Sequence, residues 1–250
     1  MTEQILIERR SGYAVVTMNK PKRRNALGAE SVAGLASALA VLAADDGCRA
    51  VVLTGAAPAF CAGSDLKELG GLSVSEMCAH EEATAAMARR IAHLPVPVIA
   101  AVEGYALGGG FILATSCDVV VTARGAKWAL PEVRNGWLPP WGLQSLLARV
   151  GPVKAQQITW GFQDIDGAEA LRLGIADGLA EDGAALGMAC DWAERLAALP
   201  PEAVRSTKRY FGAAIAADAE RQDAEASRLF AGDCEGAADR ATFARFTVAA

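Results

Sequence analysis

The chain has 250 residues, 52% of them hydrophobic and 21% charged, which is enough to bury the core of one large domain. Its formal net charge of −5 argues against a nucleic-acid-binding surface. The sequence has six cysteines without a C-x-x-C pair and two histidines, and these assemble no metal-ligand cluster. It has neither an apolar signal segment nor an apolar run long enough to span a membrane, so we expect a soluble cytoplasmic protein.

The first half of the chain alternates strand-like and helix-like segments. Two short runs on either side of Ser11-Gly12 predict a β-hairpin. Helical spacing of apolar residues predicts helices over residues 29–44 and 76–93, with irregular structure over 66–75. Continuous apolar runs typical of buried parallel strands cover residues 50–55, 97–102 and 118–123. This alternation predicts an α/β fold with right-handed crossovers and a largely parallel sheet.

The pattern changes after residue 130, where helices dominate. The predicted helices cover residues 142–150, 152–160, 167–173, 183–199 and 201–218. The last part is rich in alanine and arginine and has the character of a separate helical layer. We therefore divide the chain into a core domain, residues 1–199, and a C-terminal helical region, residues 200–250.

Residues 103–118, EGYALGGGFILATSCD, combine a glycine triplet with an apolar helix-like segment. A buried strand that enters a helix through Gly108–Gly110 leaves backbone N–H groups free at the start of that helix. Such a place can hold an anion or a developing oxyanion. A tight turn in which only glycine packs explains the triplet alone equally well.

A second loop leaves the carboxyl end of a predicted parallel strand, and it carries Phe60 to Asp65, FCAGSD. Ligands of open α/β sheets bind beyond the carboxyl ends of the strands. One amide from each of the two loops could therefore converge on a single carbonyl oxygen and stabilise an enolate. The loss of one such donor raises a reaction barrier by about 2.7–4 kcal/mol.

Six pieces of the sequence, in chain order, match one known family: Asn-Ala-Leu at 25–27, FCAGSDLKEL at 60–69, PVIAAVEGYALGGG at 97–110, Cys-Asp at 117–118, Pro-Glu at 131–132 and GFQDIDGAEALRLGIAD at 161–177. With these pieces the chain resembles the enoyl-CoA hydratase/isomerase, or crotonase, family. The resemblance implies a crotonase-like ββα superhelix (the ClpP/crotonase fold) with a C-terminal helical trimerisation region, assembled as a homotrimer or a dimer of trimers. It also implies an acyl-CoA substrate, with no cofactor beyond the coenzyme A of that substrate.

The resemblance also implies particular site residues. The oxyanion hole would be formed by the N–H groups of Ala62 and Gly109. The loop would lie along coenzyme A, and the implied contacts are Arg24, Ala26, Ala62, Gly63, Ser64 and Asp65. The basic group Lys22, Arg23 and Arg24 falls where the family places residues near the CoA phosphates.

Family hydratases use two glutamates, and this chain retains one of them. The retained residue is Glu132, whereas the other position, 20 residues earlier, is Ile112. Addition of water needs one group to activate the water and another to handle the proton at the α-carbon. A lone carboxylate is better suited to moving a proton from C2 to C4 of a 3-enoyl-CoA. Apolar surroundings would raise its pKa and make it a stronger base. We therefore favour Δ3-Δ2 enoyl-CoA isomerisation, with Glu132 as the catalytic base.

Several alternatives remain open at this point. Glu132 could be a solvated loop carboxylate, and Asp65 or Glu68 could replace the missing glutamate. Trp137 and Trp141, with Ile112, would shape the acyl pocket or simply pack in the core. His80 and His93 are better explained by surface or capping roles than by catalysis. The reaction could instead be 2-enoyl-CoA hydration or thioester hydrolysis, and the chain could also be a catalytically silent CoA-binding subunit.

Overall fold

The computed structural model describes residues 3–236 and 242–243. The strands are β1 (Ile5–Arg9), β2 (Tyr13–Met18), β3 (Ala50–Gly55), β4 (Val98–Val102), β5 (Tyr105–Leu107), β6 (Val119–Ala123), β7 (Lys127–Ala129), β8 (Ile165–Asp166) and β9 (Gly178–Ala180). The helices are α1 (Ala29–Ala43), α2 (Leu66–Leu69), α3 (Val74–His93), α4 (Gly109–Thr115), α5 (Glu132–Asn135), α6 (Leu143–Val150), α7 (Pro152–Thr159), α8 (Gly167–Leu173), α9 (Ala185–Ala197), α10 (Pro201–Ala216) and α11 (Ala219–Asp233), with a 3-10 turn at Pro21–Arg23. None of these helices is both long and apolar enough to cross a membrane.

The larger sheet has six strands in the order β1-β2-β3-β4-β6-β9. Only β1 is antiparallel to its neighbour, as the predicted hairpin requires. The central strands carry continuous apolar sequence because both of their faces are buried. The register pairs Val16 with Leu53 and Leu53 with Ala100, so the carboxyl ends of β3 and β4 lie side by side. The predicted α/β fold and its three buried strands are confirmed.

A second, three-stranded sheet with the order β5-β7-β8 was not predicted. Its strands have only two or three residues, and strands this short show no detectable hydrophobic periodicity in the sequence. It matters because β5 leads directly into the glycine triplet. The amide of Gly108 donates to the carbonyl oxygen of Ala129 at the end of β7, at 2.9 Å, and this bond fixes where α4 begins.

Two helix starts differ from the prediction because side chains cap them. Ser73 and Glu76 form a reciprocal capping box, so α3 begins two residues before the predicted residue 76. Asp65 accepts a hydrogen bond from the amide of Lys67 at 3.2 Å and begins α2. The stretch 66–75 is therefore partly helical, and the prediction of irregular structure there is wrong for its first turn.

The C-terminal helices are fastened to the core by buried charged groups. Lys208 on α10 donates to the carbonyl oxygen of Val96 and to Asp118, both at 2.7 Å. Asp223 on α11 accepts from the amide of Gly142 at 2.7 Å and pairs with Arg89 on α3. The predicted boundary at residue 200 falls between α9 and α10, and the structure describes the C-terminal region only to residue 236 and at 242–243.

Candidate active site

The loop at residues 60–65 runs directly beside the glycine segment. The amide of Cys61 donates to the carbonyl oxygen of Tyr105, and the amide of Leu107 donates back to that of Cys61, both at 3.0 Å. A Cβ atom on Gly110 would lie 2.3 Å from the Cys61 carbonyl oxygen, so only glycine allows this approach. The third glycine therefore has a packing role, and that packing brings the two predicted loops together.

The amide of Ser64 faces the start of α4. Ser64 and Leu27 form a parallel bridge in which Leu27 donates to the Gly63 carbonyl oxygen at 2.8 Å. The amide of Asp65 donates to the Leu27 carbonyl oxygen at 3.0 Å. Because these flanking groups point towards Leu27, the amide of Ser64 itself points to the opposite side. A Cβ atom on Gly109 would lie 3.7 Å from the Ser64 nitrogen, which places the two residues next to each other.

Gly109 supplies the second amide of this pair. It is the first residue of α4, and the first N–H groups of a helix have no acceptor within the helix. A Cβ atom on Gly63 would lie 3.1 Å from the Gly109 nitrogen. The amides of Ser64 and Gly109 therefore face one small space, which is the arrangement that an oxyanion hole needs.

The structure corrects the prediction that Ala62 supplies one of the two donors. The amide of Ala62 donates to the carbonyl oxygen of Arg24 at 2.9 Å, so it is already used within the protein. Which amide of the loop stays free depends on how the loop pairs with Leu27. The free amide is that of Ser64, two residues further along.

Glu132 is buried beside this pair of amides. It is the first residue of α5, and it is only 8% exposed. A Cβ atom on Gly108 would lie 2.6 Å from Oε1 of Glu132, so the carboxyl group reaches over the glycine turn. Its Oε2 atom has no hydrogen-bond partner in the part of the chain that the structure describes. The alternative of a solvated loop carboxylate is therefore wrong.

The surroundings of Glu132 make it a stronger base than an ordinary glutamate. Burial raises the pKa of Glu132 to about 8, and the nearby carboxylate of Glu81 raises this pKa as well. A carboxyl group with such a pKa is suited to removing a proton from a carbon acid near neutral pH.

Most of the predicted residues line one cavity of about 50 Å³, which has room for a water molecule or two. The predicted residues that line it are Ala62, Gly63, Ser64, Gly109, Ile112, Glu132, Trp137 and Trp141. Arg24, Ala26 and Asp65 are not among the lining residues. Ile112 also packs on the backbone, because a Cβ atom on Gly142 would lie 2.2 Å from its Cγ2 atom. Ile112 therefore lines the cavity and packs in the core.

The two tryptophans form one wall of the cavity, and α11 supports that wall. Trp137 stacks on Phe243 with ring centroids 5.1 Å apart, and it meets the edge of Phe230 on α11 at 6.3 Å. The indole N–H of Trp141 donates to Glu81 at 2.8 Å. Both tryptophans are buried and both line the cavity, so they pack in the core and also face this space.

Asp65 and Glu68 do not replace the missing glutamate. Asp65 is ion-paired with Lys20 at 3.1 Å and with Arg23. Although burial opposes this, the hydrogen bonds from Arg23 and Lys20 hold the pKa of Asp65 below its usual value. Glu68 pairs with Lys20 at 3.1 Å, and neither carboxylate lines the cavity. Both belong to the scaffold of the loop.

The three basic residues predicted to bind phosphate have different surroundings in the structure. Arg23 is engaged with Asp65, whereas Lys22 and Arg24 are exposed at the surface. The guanidinium of Arg24 lies 5.1 Å from the ring centroid of Tyr105, a cation–π distance. Of the three basic residues, Lys22 and Arg24 therefore have their charges available to a phosphate at the surface.

Sequence reasoning missed Glu81, the second carboxyl group of the cavity. Glu81 lies on α3, is 3% exposed and lines the cavity. Oε1 accepts from the Ser64 hydroxyl at 2.7 Å, and Oε2 accepts from the Trp141 indole. A signal was present in the sequence, because Glu81 is spaced four residues after buried Met77 and four before buried Ala85, on the buried face of the helix. A glutamate at such a position needs buried partners.

The backbone agrees with solved structures of one enzyme class. An enoyl-CoA hydratase/isomerase from Mycobacterium paratuberculosis matches with a TM-score of 0.89 at 26% identity, covering 98% of this chain and 99% of that one. One from Xanthobacter autotrophicus Py2 matches with a TM-score of 0.89 at 29% identity, covering 100% and 93%. The fold and the paired amides thus define an enzyme with the crotonase fold.

Sequence comparison narrows this class to a family. The family model described as enoyl-CoA hydratase/isomerase matches residues 8–243, and the chain belongs to that family. A short-chain-enoyl-CoA hydratase of Clostridium acetobutylicum is 32% identical over 238 residues, covering 94% of this chain and 91% of that protein. The expected crotonase membership is confirmed.

Proposed function

We propose that this enzyme isomerises 3-enoyl-CoA thioesters to 2-enoyl-CoA thioesters, with Glu132 as the catalytic base. The observation that carries the proposal is the buried Glu132 carboxyl group, whose Oε2 has no partner among the described residues, beside two free amides. At the position of the other hydratase glutamate stands Ile112, which is buried and apolar. This side chain neither binds nor activates a water molecule.

The proposed chemistry moves one proton. The thioester oxygen accepts hydrogen bonds from the amides of Ser64 and Gly109, which makes the C2 proton more acidic. Ionised Glu132 removes that proton, and the resulting dienolate carries its negative charge on the oxygen between the two amides. Glu132 then returns the proton to C4, which leaves the double bond between C2 and C3. Each amide contributes about 2.7–4 kcal/mol of barrier lowering, by analogy with oxyanion holes in general.

Coenzyme A is proposed to lie across the surface of the loop at residues 60–65. The exposed Arg24 and Lys22 support this placement, since both are free to approach the CoA phosphates. Ala26 and Asp65 would contribute through the shape of the loop rather than through charge, because Ala26 is buried and Asp65 is ion-paired. No cofactor beyond the coenzyme A of the substrate is needed for this reaction.

A homotrimer, or a dimer of trimers, is proposed as the assembly. The support on the molecule is an exposed apolar group on α10, formed by Tyr210, Phe211 and Ile215. Apolar side chains grouped in this way on a C-terminal helix are suited to contact between subunits. A cytoplasmic location also remains a proposal.

Hydration of 2-enoyl-CoA is the second candidate, favoured by the name of the Clostridium acetobutylicum relative. The test gives purified protein 3-enoyl-CoA and 2-enoyl-CoA separately. Conversion of the 3-enoyl substrate that is lost in Glu132→Gln supports isomerisation. Rapid hydration of the 2-enoyl substrate without isomerisation overturns it. Binding of acyl-CoA without turnover of either substrate would identify a silent CoA-binding subunit.

A further inference from the structure

We propose that Glu81 is a positioning residue that shares one proton with Glu132 and ties Ser64 and Trp141 to α3. The two carboxyl groups come from different helices, α3 and α5, and both line the cavity of about 50 Å³. The activity part of this inference rests on the proposed function. The proton-sharing part concerns the free protein and does not depend on any reaction.

The hydrogen bonds of the two carboxyl groups differ. Glu81 accepts hydrogen bonds from the Ser64 hydroxyl at 2.7 Å and from the Trp141 indole N–H at 2.8 Å. An indole N–H can only donate, so Oε2 of Glu81 is an acceptor in any protonation state. In the described part of the chain, Oε2 of Glu132 receives no such donor. Hydrogen bonds to a carboxylate favour its ionised form, so Glu81 is the ionised member of the pair.

Two negative charges in one small apolar cavity repel each other strongly, because little water is present to screen them. The pair therefore holds one proton near neutral pH, and that proton resides on Glu132. Burial raises the pKa of Glu81 as well, although the hydrogen bonds from Ser64 and Trp141 oppose that rise, and the charge of Glu81 adds to the rise in the pKa of Glu132.

Other charged groups around the pair are engaged elsewhere or lie outside the cavity. On α3, His80 precedes Glu81 and its charge opposes the effect of burial on the pKa of Glu81. Three charged groups on adjoining elements are held by partners: Asp65 by Lys20 and Arg23, Arg134 by the Gly161 carbonyl oxygen, and Arg89 by Glu82 and Asp223. Among the described residues that line the cavity, Glu81 and Glu132 are the titratable ones.

The partners of Glu81 explain its positioning role. Ser64 carries the backbone amide that faces Gly109, and its hydroxyl is fixed by Glu81. Trp141 forms a wall of the cavity, and its indole is fixed by the same carboxyl group. The buried side chain of Glu81 thus connects both the loop at residues 60–65 and the tryptophan wall of the cavity to α3. The charge of Glu81 also makes ionised Glu132 a stronger base.

Glu81→Gln tests the charge with little change of shape. The glutamine oxygen can still accept from Trp141, and its amide group can donate to the Ser64 hydroxyl. Two readouts are needed: the pH dependence of kcat/KM with 3-enoyl-CoA, and an infrared titration of the protonated carboxyl band of the free protein. Glu132→Gln identifies the band that belongs to Glu132.

We expect both midpoints to fall by about one pH unit in Glu81→Gln, because one neighbouring negative charge is removed. Glu82→Gln is the matched control, since Glu82 lies on the same helix but is half exposed and outside the cavity. Unchanged midpoints in Glu81→Gln overturn proton sharing. If kcat/KM of Glu81→Gln falls equally at every pH while the midpoint stays unchanged, proton sharing is also overturned. Glu81 would then act only as a tether, through its hydrogen bonds with Ser64 and Trp141.

The tether is tested by Ser64→Ala combined with Glu81→Leu in a double-mutant cycle on kcat/KM. If Glu81 acts through Ser64, the two losses are far from additive. Additive losses overturn the tether. Should Glu81→Leu fail to fold, Ser64→Ala combined with Glu81→Met gives the same comparison, because methionine is close to glutamate in length but has no carboxyl group to bind the Ser64 hydroxyl. If the wild-type protein turns over no enoyl-CoA, the proposed function fails, while the infrared titration still decides whether the proton is shared.

Discussion

Glu132 obtains its chemistry from residues that are not themselves reactive. Gly108 leaves room for its carboxyl group, because a Cβ atom there would lie 2.6 Å from Oε1. Burial raises the pKa of Glu132 to about 8. In the proposed reaction, the same burial keeps water away from the dienolate and strengthens the hydrogen bonds of the two amides. The proposed base and the proposed oxyanion hole therefore depend on one glycine turn.

The rate of the wild-type enzyme should rise with pH and reach a plateau above about 8, because only ionised Glu132 removes a proton. Measurement of kcat/KM between pH 6 and 9.5 checks this expectation. Glu132→Gln should lower kcat/KM by about 10³-fold or more, since it removes the base. Full activity in the glutamine variant would assign the chemistry to another group.

The same pKa predicts how stability depends on pH. The pKa of Glu132 is raised on folding, so the folded state binds the proton more tightly than the unfolded chain. Its contribution is fully present below the usual value of 4.5 and is lost as pH rises through about 8. Glu132→Gln should therefore be less sensitive to pH than wild type in this window. Urea unfolding at pH 6 and 9 measures the difference.

Gly108→Ala tests the glycine turn directly. Gly108 has a φ of 53°, and an alanine Cβ there would collide with the carboxyl group of Glu132. We expect a loss of roughly 1–3 kcal/mol of folding free energy and displacement of the base. Gly187→Ala on α9 is the control, because nothing lies within 4 Å of its added Cβ. Equal activity of both variants would contradict the proposed position of Glu132.

At the scale of elements, the site is held by helices that are distant in sequence. Glu81 on α3 holds the loop and the tryptophan wall, while α11 supports the turn that carries this wall. The amide of Leu138 donates to Asp233 at 2.9 Å, and the amide of Gly142 donates to Asp223 at 2.7 Å. Both carboxylates belong to α11. The C-terminal region therefore lines the cavity through Phe230 and Phe243, and it also carries the proposed contact between subunits.

Asp223→Asn tests whether α11 positions the pocket. Asparagine keeps an acceptor for the amide of Gly142 but removes the negative charge that faces Arg89. We expect a loss of about 1–3 kcal/mol of folding free energy and a higher KM for acyl-CoA. Asp218→Asn is the control, since its ion pair with Arg221 is exposed and screened by water, so its loss should change stability little. Equal changes in folding free energy and KM in the two variants would contradict the positioning role of α11.

At the scale of the whole molecule, the sequence predicted what depends on periodicity and motif spacing. The hairpin, the buried strands and the helices α1, α3 and α6 to α10 lie close to their predicted ranges. The short second sheet, α11 and the donor at Ser64 were missed. Pairing between distant backbone segments determines the short second sheet and leaves the amide of Ser64 free, and no local sequence pattern predicts such pairing. Glu81 was missed because its partners, Ser64 and Trp141, are 17 and 60 residues away.

An exposed apolar group on α10 is the proposed contact between chains. On α10, Tyr210 is 76% exposed, Phe211 60% and Ile215 47%, and the rings of the first two meet edge to face. An apolar group of this kind on a single chain is a candidate interface. We expect the protein in solution to have a mass near three or six times 25.9 kDa.

Tyr210→Glu should shift this mass towards the single chain, because a charge buried in an apolar interface has no partner. Tyr210 is the suitable position, since it is the most exposed of the three. Val153→Glu provides the control, because Val153 is 68% exposed on α7, away from α10. Light scattering of the two variants at equal concentration decides the question. An unchanged mass in Tyr210→Glu, or an equal shift in both variants, would exclude this face of α10 as the contact between subunits.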